Sequence, residues 1–327
     1  MKIVSPMTYG NGAYVVHKVL ESRLPGYQVK GYSPRFEFCP FLMTFICRLD
    51  TADIVHTTPD YGYLFEQRDT PLVVTFHNFM LDRFMQSYSS LFQRIHYRTD
   101  LRYFIRKALE RADMVTSVSN FTANLVREEL GYRKEIRVIY NGVDLKRFSP
   151  VRRKSNTSIK VLFAGNLTRR KGADLLPEID RRLNKGIVIQ YARGLRGRPH
   201  NFTSERLIDL GSIDHAKMPE VYRQADILLL PTVREGLPLV IMEAMASGLP
   251  VVSTNCSSLP ELITDGEGGF LCELGNIQDF VAKINLIADS EQMRREMGEY
   301  NRERAERYFS LSRMVDNYQE LFNEVAG

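Results

Sequence analysis

Short runs of aliphatic and β-branched residues recur along the chain, most of them followed by a longer stretch with helical spacing. In the first half the runs are KIV at the start, YQVKGYS (27–33), DIVHTT (53–58), LVVTFH (72–77), DMVTSVS (113–119) and IRVIYN (136–141). In the second half they are IKVLFAG (159–165), IVIQYA (187–192), RLIDLG (206–211), DILLLP (226–231), PVVST (250–254) and GFLCEL (269–274). Helical spacing fills, among others, 172–185, 215–225, 238–248 and 276–288. Strands so uniformly apolar, joined through helices, predict parallel sheets covered on both faces. The series runs twice, which predicts an α/β chain of two doubly wound domains. Between them, SPVRRKSNTS (149–158) is polar and basic with no apolar period and reads as a linker. Near the end, Met314, Val315, Tyr318, Leu321, Phe322 and Val325 share one helical face. The expected layout is a first domain over 1–148, a linker over 149–158, a second domain over 159–309, and a helix over 310–327 packing back on the first domain. The two halves show no sequence repeat.

Composition agrees with this layout. A chain of 327 residues, 44% hydrophobic and 25% charged, has enough apolar side chains for two cores and is not of the disordered class. The net charge of +5 changes the picture more, because it is not spread evenly. Residues 1–150 hold 20 Lys+Arg against 15 Asp+Glu, and residues 151–327 hold 24 against 24. Residues 83–111 alone carry seven basic and two acidic side chains, interleaved with Phe and Tyr. Such a basic, aromatic, amphipathic stretch suits an anionic membrane surface, with Arg98, Arg102 and Arg106 as its test positions. It suits equally a solvated helix face above an ordinary core. PFLMTFICRL (40–49) reads as core rather than as added apolar surface. No nucleic-acid module accompanies the basic stretch, so nucleic acid is not an expected partner.

The four cysteines, Cys39, Cys47, Cys256 and Cys272, form no CxxC pair and have no His at metal spacing, so they read as thiols in a reducing compartment. The first residues lack the pattern of a signal peptide, and the longest apolar stretch (36–49) is too short to cross a bilayer. The expected location is cytoplasmic, with peripheral attachment to the inner face of the cell membrane as an extension of that reading.

In open parallel sheets ligands bind where strands end and helices begin. Three such loops carry candidate chemistry. YGNG (9–12) puts glycines before a helix N-terminus, which favours an anion, although such a turn is also a plain structural device. AGNLTRRKG (164–172) brings Arg169, Arg170 and Lys171 to a strand end, as a diphosphate requires, or is a solvated basic turn. REGLPLVIMEAM (234–245) places Glu235 just past a strand, Pro238 in the first turn of a helix, and Glu243 about 7–8 Å further along the helix axis. Around Glu243 the run LVIMEAMA is apolar, so a solvated face explains this carboxylate poorly. No Asp-x-Asp and no clustered His/Asp set has metal spacing, so diphosphate chemistry here is expected to run without a protein-held divalent metal.

These stretches resemble a known family. EGLPLVIMEAMASGLPVV (235–252) is similar to the Glu-x7-Glu segment of the retaining glycosyltransferases of family 4, which have the two-domain GT-B fold. VIYNGVDLKRFSP (138–150), VLFAGNLTRRKG (161–172), LGSIDHAKMPEVYRQADILLLP (210–231) and SLPELITDGEGGFL (258–271) resemble further family segments in the expected order. They cover most of 136–275, whereas the first 110 residues match by pattern only. The resemblance implies two Rossmann-like domains facing a central cleft. Glu243 would accept from the ribose hydroxyls of a nucleotide-sugar donor. Glu235, with the amides of Gly236, Leu237 and Leu239 around Pro238, would hold the sugar. Lys171 would neutralise the leaving diphosphate, helped by the helix start at Gly12. The backbone near Ile213 would meet the base, and His77 would face the donor sugar. The chain departs from the family at Asn166, where an arginine is usual; Arg170, or else Arg169, would supply the guanidinium.

The implied reaction is transfer of a hexose-type sugar from a nucleoside diphosphate to a hydroxyl of a glycan or lipid-linked acceptor, with retention, in cell-envelope polysaccharide or glycolipid synthesis. A UDP-sugar is the favoured donor, with GDP- and dTDP-sugars as alternatives, and no cofactor or metal is expected. A sugar phosphorylase of the same fold and a catalytically silent nucleotide-sugar-binding protein are the competing readings.

Overall fold

The structure is a computed structural model that describes residues 1–38, 40–43, 52–67, 69–88, 91–151, 158–193 and 202–327. Cys39, Cys47, linker residues 152–157 and part of 40–49 lie outside the described residues. The chain forms two compact units, Met1–Asn141 with Ser312–Gly327, and Gly142–Leu311.

In the first unit, β1 (Ile3–Thr8), β2 (Tyr27–Tyr32), β3 (Ile54–Thr57), β4 (Leu72–Phe76), β5 (Met114–Ser117) and β6 (Arg137–Val138) form one sheet in the order β2-β1-β3-β4-β5-β6. In the second, β7 (Ile159–Gly165), β8 (Ile187–Arg193), β9 (Leu207–Ser212), β10 (Ile227–Leu230), β11 (Val251–Thr254) and β12 (Gly269–Cys272) pair in the order β12-β11-β10-β7-β8-β9. Every pairing is parallel. All twelve apolar runs therefore become strands, as burial on both faces of a parallel sheet demands. The chain order reverses between β1 and β3 in one sheet and between β7 and β10 in the other. Loops leaving such a switch point diverge and leave a crevice.

The helices need more correction. The expected helix over 172–185 opens as a 3-10 turn at Ala173–Leu175 and is helical over Leu176–Arg182, with another 3-10 turn just before it at Arg169–Lys171. Gly172 separates the two turns. It has φ +76°, and a Cβ there would stand 2.1 Å from the Pro231 carbonyl oxygen, so the two loops touch backbone to backbone. Pro238 caps the next helix (Leu239–Ala246) rather than occupying its first turn. The helix after YGNG begins at Gly12, with the Asn11 side chain accepting from the Tyr14 amide. An eighteen-residue helix, Glu291–Tyr308, has no apolar stripe to announce it. It is held by close approach, since a Cβ on Gly298 would stand 2.3 Å from Gly248 O. Asn301 Nδ2 adds hydrogen bonds to Leu249 O at 2.8 Å and Gly268 O at 2.6 Å.

Residues 142–148, expected in the first domain, belong to the second unit. Val143 exchanges backbone hydrogen bonds with Phe309 and Leu311, and Phe148 packs edge-on against Tyr222 with ring centroids 5.8 Å apart. The last helix, Leu311–Ala326, counts with the first unit from Ser312 onward. Its Tyr318 and Phe322 are buried against His56, and Phe322 also meets Tyr27. Arg137 holds Glu324 through a two-pronged ion pair at 2.7 and 3.0 Å. Phe322→Ala removes a fully buried ring and is expected to destabilise the first unit by about 3–5 kcal/mol in denaturant unfolding; a loss below about 1 kcal/mol contradicts this packing.

Candidate functional site

The loops after β7 and β10 flank the switch point of the second sheet, and they carry Lys171 and Glu235. Glu235 is 6% exposed. Its Oε1 accepts from Lys171 Nζ at 2.6 Å, lies 2.8 Å from the Thr232 hydroxyl and 3.7 Å from Arg170 Nη1. These three contacts all fall on Oε1. Burial alone would raise the Glu235 carboxyl, but the Lys171 ammonium and then the Arg170 guanidinium outweigh it, and the net shift is downward. Glu235 is thus held ionised.

The loop is built to keep it there. Val233 N and the Thr232 hydroxyl approach Arg170 O at 3.0 and 2.9 Å, and Arg170 Nη1 donates to Arg234 O at 2.9 Å. Ser257 Oγ accepts from the Glu235 amide at 3.1 Å. Ser257 adopts φ +50°, unusual for a residue with a side chain, and backbone strain of this kind collects at functional sites. Gly236, Leu237 and Pro238 are buried, and Leu239 is half-buried at the helix start. Arg169 is largely exposed, 3.8 Å from Asp174, so Arg170 is the loop arginine beside Glu235. Asn166 stands in the loop with its carbonyl accepting from the Thr168 amide at 2.8 Å.

Glu243, also 6% exposed, is answered differently. His215 Nε2 donates to Oε1 and the Tyr222 hydroxyl to Oε2, each at 2.8 Å. Burial, then the charge of Glu243, pushes the Tyr222 phenol well up, so it stays a donor. A carboxylate offers about four acceptor positions. His215 and Tyr222 therefore orient Glu243 from two sides and leave two of its acceptor positions. His215 and Tyr222 rest on Phe148, at 6.0 and 5.8 Å between ring centroids, and Arg147 donates to His215 O. Ile213 lies half-buried in the bend between β9 and the turn at His215.

In the first unit, Gly12 is open: a Cβ there would meet nothing within 4 Å. His77 follows β4 and joins a buried network that sequence spacing did not reveal. His77 Nε2 lies 3.0 Å from His17 Nε2. His17 Nδ1 lies 2.7 Å from Ser5 Oγ and 2.8 Å from Tyr27 OH. Tyr27 OH also reaches His56 Nδ1 at 2.7 Å, and His56 Nε2 reaches Thr75 Oγ1 at 2.7 Å. Burial pushes His77 down to about 3, and burial, helped by the neighbouring imidazoles, holds His17 and His56 well below the usual range. Between the two facing Nε2 atoms one must donate and the other accept, so only one of His17 and His77 carries its proton there.

Sequence reading also missed Ser257, His215 and Tyr222, which touch Glu235 or Glu243 from remote segments. The single local signal was an acid inside the apolar run 239–246. Of the expected positions Arg98, Arg102 and Arg106, the first two line a common groove, with Arg83. Among the described residues, Cys256 and Cys272 are free thiols and no group of acids, histidines and cysteines is arranged to hold a metal ion.

The imidazole network gives a pH signature. These groups bind fewer protons folded than unfolded, so stability present above their ordinary value of about 6.5 is lost as pH falls below it. For His77 the loss continues to about 3. Each contributes up to about 1.4 kcal/mol per pH unit. Glu235, with its lowered carboxyl, adds its own loss only below the ordinary carboxylate range. Denaturant unfolding between pH 7 and 5 should therefore show steadily falling stability, and a flat profile contradicts the uncharged network.

Two family comparisons join these observations. Residues 2–147 match the family described as Glycosyltransferase Family 4, and residues 202–304 match Glycosyl transferases group 1. The chain is 28% identical over 242 residues to N-acetyl-alpha-D-glucosaminyl L-malate synthase of Bacillus anthracis, covering 69% of this chain and 63% of that protein. It is 27% identical over 229 residues to an uncharacterized glycosyltransferase of Methanocaldococcus jannaschii, with the same coverage of each. The chain thus spans just under two thirds of the length of these relatives. The fold matches sucrose-phosphate synthase from Thermosynechococcus elongatus (TM-score 0.84, 18% identity, 99% of both chains). It also matches Anabaena HepE, solved with UDP and glucose (TM-score 0.80, 18% identity, 99% of both chains). Both matched segments thus resemble glycosyltransferases, and the two parallel sheets have the GT-B fold.

Proposed function

We propose that the chain transfers a hexose-type sugar, with retention, from a nucleoside-diphosphate sugar to a hydroxyl of a glycan or lipid-linked acceptor, in polysaccharide or glycolipid synthesis. The observation that carries this reading is the pair of buried carboxylates beside one switch point, Glu235 held by Lys171 and Glu243 held by His215 and Tyr222. Glu243 takes the ribose hydroxyls and Glu235 the sugar hydroxyls. A UDP-sugar is the favoured donor, since the similar HepE was solved with UDP and glucose.

Glu235 is already neutralised by Lys171 on one oxygen, which suits a hydrogen-bond acceptor better than a nucleophile. Retention then follows from a front-face route, in which the departing diphosphate accepts the acceptor's proton as its own bond to the sugar breaks. Lys171, with two further N–H donors, and Arg170 stabilise the charge that develops on the diphosphate. Because the loop supplies its own cations, a divalent metal is not assigned a role. The first unit is assigned the acceptor.

Membrane attachment on the cytoplasmic face extends the reading. Leu91, Ile95 and Tyr103 stand exposed on the basic stretch, which suits an anionic bilayer surface. Among the described residues, no helix is long and apolar enough to cross a membrane.

The expected outcome without acceptor is slow hydrolysis of UDP-sugar that persists in chelator and falls at least 100-fold in Glu235→Ala and Lys171→Ala, on the order expected when a stabiliser of developing charge is removed. Activity that vanishes with chelator yet survives Lys171→Ala overturns the proposed mechanism.

A further inference from the structure

A groove in the first unit has no role in the account so far. Its volume is about 520 Å³, and Leu81, Arg83, Arg98, Arg102 and Glu129 line it. A smaller recess of about 70 Å³ shares Leu81, Arg98 and Arg102 and adds Met80 and Tyr97. Its Leu81 side belongs to the segment that leaves β4 through His77, at the carboxyl end of the parallel sheet, where this class of fold binds ligands. The other side is the helical stretch from Leu91 to Arg111, which is not regular: a π turn at Tyr97–Leu101 separates Leu91–His96 from Arg102–Arg111. An added residue in one turn shifts the phase of everything beyond it, and such turns concentrate at functional sites. Here the turn holds Arg98, and Arg102 follows it directly, while Arg106 falls outside the groove.

The charges are organised, not merely crowded. Arg83 Nε pairs with Glu129 Oε2 at 3.0 Å, and Arg102 Nη2 donates to Glu129 O at 3.0 Å. Glu129 therefore braces two guanidiniums from the rim. Guanidinium forks match the paired oxygens of phosphate and carboxylate. Leu81, Met80 and Tyr97 give the groove an apolar edge, which a fully hydrated ion would not need.

We propose that this groove is an anion subsite that holds a phosphate or carboxylate group of the acceptor through Arg83, Arg98 and Arg102. This rests on the reading of the chain as a glycosyltransferase and names the class of acceptor, one that carries an anionic group beside its reactive hydroxyl. The anion is borne either by a lipid or by a free molecule, and the chemistry at the arginines is the same.

The test is calorimetric titration of inorganic pyrophosphate into the full chain already saturated with UDP, so that the donor loop is filled. Pyrophosphate should bind one site per chain, at least tenfold more weakly in Arg83→Gln and in Arg98→Gln, and within twofold of the parent in Arg106→Gln. Arg83 is largely exposed, so Arg83→Gln reads the site without disturbing the core. No binding by the parent chain overturns the proposal, and so does an Arg106→Gln loss equal to that of Arg98→Gln, which would mean diffuse basic charge instead of a site. A UDP thermal shift on the same samples separates the two layers: its presence with no pyrophosphate binding sinks the subsite alone, and its absence sinks the glycosyltransferase reading and the subsite with it. Sedimentation with phosphatidylglycerol vesicles identifies the source. Release of vesicle-bound chain by pyrophosphate assigns a lipid-borne anion, and pyrophosphate binding without vesicle binding assigns a free one.

Discussion

The ion pair between Lys171 and Glu235, 2.6 Å long and mostly withdrawn from water, sets the terms for the second unit. A buried carboxylate is costly unless charge and hydrogen bonds answer it. The answer here comes from a different loop, so the loops after β7 and β10 must meet. Gly172 lets them meet, because only a residue without Cβ can lie against the Pro231 carbonyl. The left-handed conformation of Gly172 also separates the 3-10 turn before it from the one after it, where a continuous helix was expected. Strand order makes the contact available in the first place, since β7 and β10 are neighbours in the sheet while 61 residues separate Gly165 from Asp226 in the chain. One electrostatic demand thus runs through backbone conformation, loop packing and sheet topology.

The second carboxylate shows the same problem solved with a ring nitrogen and a phenol. Glu243 sits inside a helix that is apolar all round, yet His215 and Tyr222 reach it from the segment between β9 and β10. Glu235 is anchored by an ammonium on one oxygen, whereas Glu243 is held on both oxygens, one by a ring nitrogen and one by a phenol. The two acids of one short stretch are therefore different tools, and the difference comes from neighbours that are remote in sequence. Phe148 and Arg147 brace those neighbours, which is also why residues 142–148 pack with the second unit.

Legibility followed locality. The central strands could be read because burial on two faces leaves a continuous apolar run of a few residues, whereas the edge strands β2, β6 and β9 are only partly buried. The burial of Glu243 could be read for the same reason, as an acid where every neighbour is apolar. The helix Glu291–Tyr308 could not, because it is held by glycine contact and by Asn301, neither of which leaves a period in the sequence. The His17–His56–His77 network was hidden more thoroughly, with Ser5, Tyr27 and Thr75 brought together only by the sheet. Arg98, Arg102 and Arg106 look equivalent at four-residue spacing, yet the groove is lined by the first two.

The central claim is a division of labour, Glu243 on the ribose and Glu235 on the sugar. Binding of UDP and of UDP-glucose to Glu243→Gln and Glu235→Gln, measured side by side by calorimetry, tests it most directly. The account predicts that Glu243→Gln weakens both ligands by a similar factor, on the order of tenfold, the equivalent of about 1.4 kcal/mol for weakened hydrogen bonds to a charged acceptor. Glu235→Gln should leave UDP within about twofold and weaken UDP-glucose alone. Equal losses of both ligands in both variants, or a loss of UDP confined to Glu235→Gln, would contradict the account.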